Sequence, residues 1–289
     1  MSIELNTTIS KNFSKKYSDF LVRNLGRLLL KPNQWRQQLE KARLNFSLRN
    51  LAEKERYTPS CITILGKEIK LVDSLSFLWT YVEIFENEIY KFKASSSSPT
   101  IIDCGANIGL SILYFKQLYP NSRIIAFEPD LEIFEILENN VQSFKSTNVE
   151  LIRKAVWSSE TFLEFMAEGA DAGRVVQVES PQKSYQVPTT RLRHYLNEPI
   201  DLLKIDVEGA EIEILKDCSD LLSNVKNLFV EYHSFANSSQ SLDILIKILS
   251  EAGFRLHIHP THISPNPLME RNINLGMDML LNIFAFREP

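Results

Sequence analysis

The run Thr100-Ile101-Ile102-Asp103-Cys104-Gly105-Ala106-Asn107-Ile108-Gly109-Leu110-Ser111 joins an apolar strand to an amphipathic helix through a glycine turn. Gly105 and Gly109 permit a tight turn and close backbone approach. The helix N-terminus behind it is expected to present free N–H groups to an anionic group such as a carboxylate. A ligand is therefore expected here, against Cys104, Gly105, Ala106, Asn107, Gly109 and Ser111. The turn alone would equally suit a nicotinamide dinucleotide. Asp103 narrows the choice, because a carboxylate at the strand end repels a pyrophosphate but suits the ammonium of a methionine moiety, directly or through water.

Outward from this turn, strands and helices alternate. Strands are expected at Thr100–Cys104, Arg123–Phe127, Val149–Val156, Asp201–Ile205, Asn227–His233, Arg255–His259 and Met279–Phe286. Helices are expected at Gly109–Leu118, Leu131–Phe144, Ala210–Leu222 and Ser241–Ala252. Such alternation builds a parallel sheet with helices on both faces. The stretch from Phe162 to Pro188 breaks the pattern and reads as an inserted hairpin. A loop joins the last two strands, so the final strand enters antiparallel. The expected fold is α/β and Rossmann-like: seven strands, mostly parallel, with the last reversed, an arrangement that plain dinucleotide-binding domains lack.

The other strand ends carry the remaining chemistry, since ligands of open α/β sheets bind at the carboxyl ends of strands. Glu128, followed by Pro129, ends the second strand, where a carboxylate accepts hydrogen bonds from both ribose hydroxyls. Lys204 to Glu211 ends the fourth core strand; Asp206 is its catalytic candidate, also placed against the cofactor, while Glu208 reads either as catalytic or as a cap on the following helix. Glu231 and His233 share a face at the end of the fifth strand. There a histidine beside carboxylates can take a proton from a hydroxyl. His257 and His259 also share a face, with His262 nearby, but without a third ligand they read as a solvated or substrate-contacting loop rather than a metal site.

The part before the catalytic unit differs in character. The chain has 289 residues and net charge -4. Residues 1–60 hold 12 Lys/Arg against 5 Asp/Glu, leaving 20 against 31 for the rest. The extension is therefore basic and the body acidic. Apolar residues recur at helical spacing from Asn12 to Leu30, and a second helix carries Trp35, Leu39, Ala42 and Phe46 on one stripe. These helices would pack on the main domain or form a homo-oligomer. A hairpin is expected over Cys61–Val72, a helix over Leu75–Phe92 and a serine linker over Ser95–Pro99. The division is thus a helical extension, 1–60, and a catalytic domain, 61–289. Three scattered cysteines form no disulfide framework and suit a reducing cytoplasm. No run approaches the length of a membrane-spanning helix. The acidic body, with no Asn/Asp-Pro-Pro-aromatic motif, argues against nucleic acid as a partner.

At these motifs the chain resembles the FkbM-type methyltransferases. The likeness lies in Asp103 to Ser111, Phe127-Glu128-Pro129, Leu203 to Glu211, the approach Tyr81, Glu83, Ile84, Phe85 and Tyr90, and Val187 to Thr190. The resemblance implies methyl transfer from S-adenosyl-L-methionine to a hydroxyl of a sugar, glycan or polyketide-like small molecule. The competing readings are a nicotinamide-dependent oxidoreductase and a cofactor-binding protein without turnover. Between His233 as base and a divalent cation held by Asp206 with Glu231 or Glu208, the sequence favours the metal-free route, because convergence of those oxygens is not readable from spacing.

Overall fold

The computed structural model describes residues 44–167, 173–175 and 184–287. They divide into two compact units between Trp79 and Thr80. In the first, residues 44–52 are helical. Leu48 and Leu51 are buried there while Phe46 is 66% exposed, so the expected apolar stripe does not end on Phe46. The Asn12–Leu30 helix and the remainder of that stripe lie outside the described residues. Strands β1 (Ser60–Ile64) and β2 (Lys67–Leu71) form the expected hairpin, with Ile62, Ile64, Ile69 and Leu71 buried on one face. Buried Asp73 accepts the N–H groups of Tyr57 and Ser76 and pairs with Arg56. It thereby supplies the cap for the helix Ser74–Tyr81.

That helix stops well short of the expected Phe92. Val82–Glu86 forms a π-helical turn, closed by the Asn87 N–H on the Val82 carbonyl at 2.8 Å. Glu88 then takes a left-handed backbone. The apolar periodicity suggests a longer helix because Ile84 and Tyr90 are buried even though the winding has changed.

The second unit contains β3 (Thr100–Cys104), β4 (Arg123–Phe127), β5 (Val149–Ile152), β6 (Ala155–Trp157), β7 (Phe162–Ala167), β8 (Gly173–Val175), β9 (Ser184–Arg191), β10 (Ile200–Ile205), β11 (Val225–Phe235), β12 (Arg255–His262) and β13 (Met277–Phe286). Seven of them form one sheet in the order β12-β13-β11-β10-β3-β4-β5. Strand β13 runs antiparallel to both neighbours, whereas β11, β10, β3, β4 and β5 pair in parallel. This is the expected Rossmann-like arrangement with a reversed last strand. Its parallel strands are buried on both faces, as Ile102 and Leu203 show on one and Ile101 and Leu202 on the other.

Three expectations need correction. The strand expected over Val149–Val156 breaks after Ile152, and β6 joins a separate four-stranded sheet of order β6-β9-β7-β8. The insertion is therefore more than a hairpin: β7 pairs antiparallel with β8 and β9, while β9 continues through Arg191 to pair in parallel with β6. The helix expected over Ala210–Leu222 is α-helical only from Glu211 to Cys218, then tightens to a 3-10 turn over Ser219–Asn224. Among the described residues, no helix is long and apolar enough to cross a membrane.

Register sets the site. Lys204 of β10 lies opposite Asp103 of β3 and Phe229 of β11, and Glu231 of β11 lies opposite Asn282 of β13. Residues paired in this way share one face of the sheet, so a row of polar groups crosses four strands near their carboxyl ends.

Candidate active site

The glycine turn after β3 is closed by the protein itself. Gly105 has φ +87°, and a Cβ there would sit 1.8 Å from the Asp206 carbonyl oxygen. Only glycine meets both conditions. The Gly105 and Ala106 N–H groups donate to the Phe127 carbonyl at 3.1 and 2.9 Å, and the Gly109 N–H donates to the Ala106 carbonyl. The Asn107 N–H donates to Glu128 Oε2 at 3.0 Å and the Ile108 N–H to Asn107 Oδ1. The N–H groups from Gly105 to Gly109 are thus used within the protein and organise the loop around Glu128, ahead of the helix N-terminus at Leu110 where the free N–H groups are expected. Cys104 and Ala106 are buried, and the Cys104 side chain belongs to the core beneath the site.

Glu128 ends β4 with 7% exposure. Its Oε1 accepts the Asp130 N–H across Pro129 at 2.9 Å, so two backbone donors orient the carboxylate. Burial pushes its pKa up to about 7, against the pull of those donors.

The polar row begins with Asp103 and Ser111. Ser111 donates to Asp103 Oδ2, and Asp103 Oδ1 lies 3.1 Å from Lys204 Nζ. Lys204 also reaches Asp206 at 3.3 Å, donates to the Gly105 carbonyl at 2.8 Å and stands 5.7 Å from the Tyr90 ring centroid. Burial opposes its charge, but Asp103 and Asp206 hold its pKa well above the usual lysine value. Asp103 is therefore engaged inside the protein rather than open toward a ligand. Sequence reasoning assigned Lys204 no role, although a lysine inside a buried parallel strand, with no solvated face to occupy, was the available signal.

The second cluster surrounds His233, which is 6% exposed. Its Nδ1 lies 2.8 Å from Glu211, while Nε2 faces Glu208 at 3.3 Å and Glu231 at 3.5 Å. Glu211 accepts the Gly209 N–H at 2.9 Å; the sequence assigns it no role beyond its place in the Leu203 to Glu211 motif, and its burial beside the imidazole is seen only in the fold. Glu208 does not cap the helix: Ala210 occupies that position without a side-chain bond. Instead Glu208 takes φ +55°, a conformation uncommon outside glycine, and its carboxylate turns back to His233. Glu83 of the π turn joins the neighbourhood, since burial and then Asp206 raise its pKa.

Charge in the cluster is unequal. Burial works to lower the His233 pKa, but Glu208, Glu211 and Glu231 push it well above the usual histidine value. Burial and the adjacent Asp206 drive the Glu231 carboxyl well up. Asp206 stays below the normal carboxylate range, because Lys204 and His233 outweigh burial. The structure therefore brings Asp206, Glu208, Glu231 and His233 together, a convergence that the spacing alone does not show. His257 and His259 lie apart from them, their Nε2 atoms 2.8 Å from each other, and His262 bonds the Asn272 carbonyl instead.

A reversed-last-strand sheet with a glycine turn, a buried carboxylate after β4 and acids at the β10 and β11 ends defines a methyltransferase of the Rossmann-like class. The methyltransferase FkbM domain model matches residues 103–256, and the chain belongs to that family. It is 29% identical over 211 residues to methyltransferase sdnD of Sordaria araneosa, covering 60% of this chain and 82% of that protein. It is 25% identical to the 2-O-methyltransferase NoeI of Sinorhizobium fredii, over 46% of this chain and 63% of that one. It is 26% identical to the hexuronic acid methyltransferase AglP of Haloferax volcanii, over 65% and 77%.

Proposed function

We propose that this chain transfers the methyl group of S-adenosyl-L-methionine to a hydroxyl of a sugar, glycan or polyketide-like small molecule. One observation carries the reading: Gly105 of the glycine turn abuts the backbone of Asp206, so the cofactor turn and the acidic cluster occupy adjacent strand ends. The names of NoeI and AglP support oxygen as the accepting atom and a sugar as acceptor.

S-adenosyl-L-methionine supplies a methyl carbon made electrophilic by its sulfonium, with a neutral thioether as leaving group. Glu128, already oriented by two N–H groups, fits the ribose hydroxyls as acceptor. Asp103, Ser111 and Lys204 brace the turn rather than touch the reacting atoms. An aliphatic hydroxyl must lose its proton during transfer near neutral pH. Asp206, kept ionised by Lys204, is the open carboxylate for that proton. His233, protonated among its carboxylates, steadies the charge that gathers there. This reverses the order expected from sequence, in which the imidazole was the acceptor.

The test is incorporation of labelled methyl into candidate glycans, read by mass spectrometry, with Asp206→Asn beside the unaltered protein. Turnover should fall by about 10² or more, the scale of losing a positioned proton acceptor. Full activity in Asp206→Asn would sink this assignment, and reduction of a nicotinamide with no methyl incorporation would sink the function.

A further inference from the structure

Beyond proton handling, the His233 cluster has the composition and geometry of a metal ligand set. One ligand atom each from Asp206, Glu208 and His233 lies within 4.8 Å of the others. The imidazole is pinned for the task. Nδ1 is held at 2.8 Å by Glu211, whose side chain is 1% exposed, so Nε2 is directed at Glu208 and Glu231. A carboxylate behind a ligating histidine is the usual support for metal-bound imidazole, fixing tautomer and ring orientation.

A separate observation comes from the neighbouring strand. Asn282 is 3% exposed and stands directly opposite Glu231 in the β11–β13 register, hence on the same face. Its Oδ1 is buried without a hydrogen-bond partner. Native proteins rarely leave such an oxygen unanswered. A cation, or a water bound to one, beside Glu231 would answer it.

We propose that Asp206, Glu208 and His233 hold one divalent first-row cation, which displaces the Nε2 proton that the imidazole carries in the metal-free protein, with Glu231 and Asn282 lining its open side. One imidazole nitrogen with two carboxylates suits ions such as Mn2+ or Zn2+ better than the thiolate-seeking metals. Three protein ligands leave positions for an oxygen of the acceptor, and a cation there would acidify a bound hydroxyl. That use of the ion rests on the methyltransferase reading; the binding site itself does not.

The experiment uses the full chain, stripped with chelator and dialysed, then titrated with Mn2+ while free Mn2+ is followed by electron paramagnetic resonance. Calorimetry with S-adenosylhomocysteine is run on the same samples. Saturable binding of one Mn2+ per chain is expected. Glu208→Gln, isosteric and partly exposed, should abolish saturation without moving the melting temperature, and Glu211→Gln should weaken binding roughly 10- to 100-fold by loosening the imidazole. His257→Ala should bind as the unaltered chain does. Absence of saturable binding up to about 1 mM Mn2+, the weak end of the affinity scale, overturns the proposal. So does retention in Glu208→Gln, or loss in His257→Ala. Mn2+ binding without S-adenosylhomocysteine binding would leave the metal site standing and sink the methyltransferase chemistry, whereas the reverse result would sink the metal site alone.

Discussion

Glu128 titrates where an assay can see it. In the ligand-free protein burial pushes its carboxyl pKa up to about 7, from the 4.5 of a solvated glutamate. Because the folded pKa lies above the unfolded one, ionising Glu128 costs folding stability as pH rises from the unfolded value through the folded one. Ligand binding runs the other way. On the proposed placement, two ribose hydroxyls would donate to the ionised form, so the ligand would draw on the deprotonated fraction, roughly one-eleventh at pH 6 and ten-elevenths at pH 8. S-adenosylhomocysteine affinity should therefore rise about tenfold between those pH values, equivalent to about 1.4 kcal/mol. Glu128→Gln, which carries no charge at either pH, should bind more weakly at pH 8, by about 1–3 kcal/mol, and show a flat profile. Calorimetry at pH 6, 7 and 8 in buffers of differing ionisation heat would also count the proton released. A flat profile in the unaltered protein, or the same slope in Glu128→Gln, would refute the placement of the ribose on this carboxylate.

The remaining predictions concern the braces and the cluster. Lys204→Met strips the cation from two acids of the site, Asp103 and Asp206; breaking a buried pair costs roughly 3–5 kcal/mol, or a melting temperature lower by about 6–20 °C for a domain of this size. Without Lys204 the pKa of Asp103 rises further, so the deficit should be larger at pH 8.5 than at pH 5.5, and an unchanged melting curve would refute the ion pair's role. Gly105→Ala sets a methyl 1.8 Å from the Asp206 carbonyl, and soluble, cofactor-binding protein with that substitution would show that the two turns do not touch. His233→Ala should lower turnover by about 10² while leaving S-adenosylhomocysteine affinity near its original value; matched losses in both would make the imidazole structural.

What was legible in the sequence is what depends on local pattern. The strands on either side of Gly105, and the reversed β13, follow from apolar runs and from a loop where a crossover helix would be needed. The elements missed are those that keep hydrophobic periodicity while changing geometry. The π turn Val82–Glu86 keeps Ile84 buried, so a continuing helix and a broken one look alike in composition. The break between Ile152 and Ala155 is similar, since both halves are extended and only their partners differ.

The site divides along the same line. Two-residue alternation places Glu231 and His233 on one face, and the motif order marks Asp206, but convergence needs information that spacing does not hold. Glu208 is two residues after Asp206, beyond the end of β10, and it reaches His233 only because its backbone turns left-handed ahead of Gly209. Gly209 has φ +101°, and a Cβ there would lie 2.9 Å from the Phe235 ring, so β11 itself fixes the turn that aims Glu208. Strained non-glycine backbone persists where surrounding structure over-determines it, commonly at functional sites. If the left-handed turn served only to start the helix, Glu208 would be replaceable by Asn or Gly, residues that tolerate φ above zero more readily. Either substitution should then stabilise the fold slightly by relieving the backbone. The cluster reading gives the opposite sign for function: Glu208→Asn should melt no lower than the original chain yet lose turnover, and a variant that gains stability with activity intact would return Glu208 to the role of a turn residue.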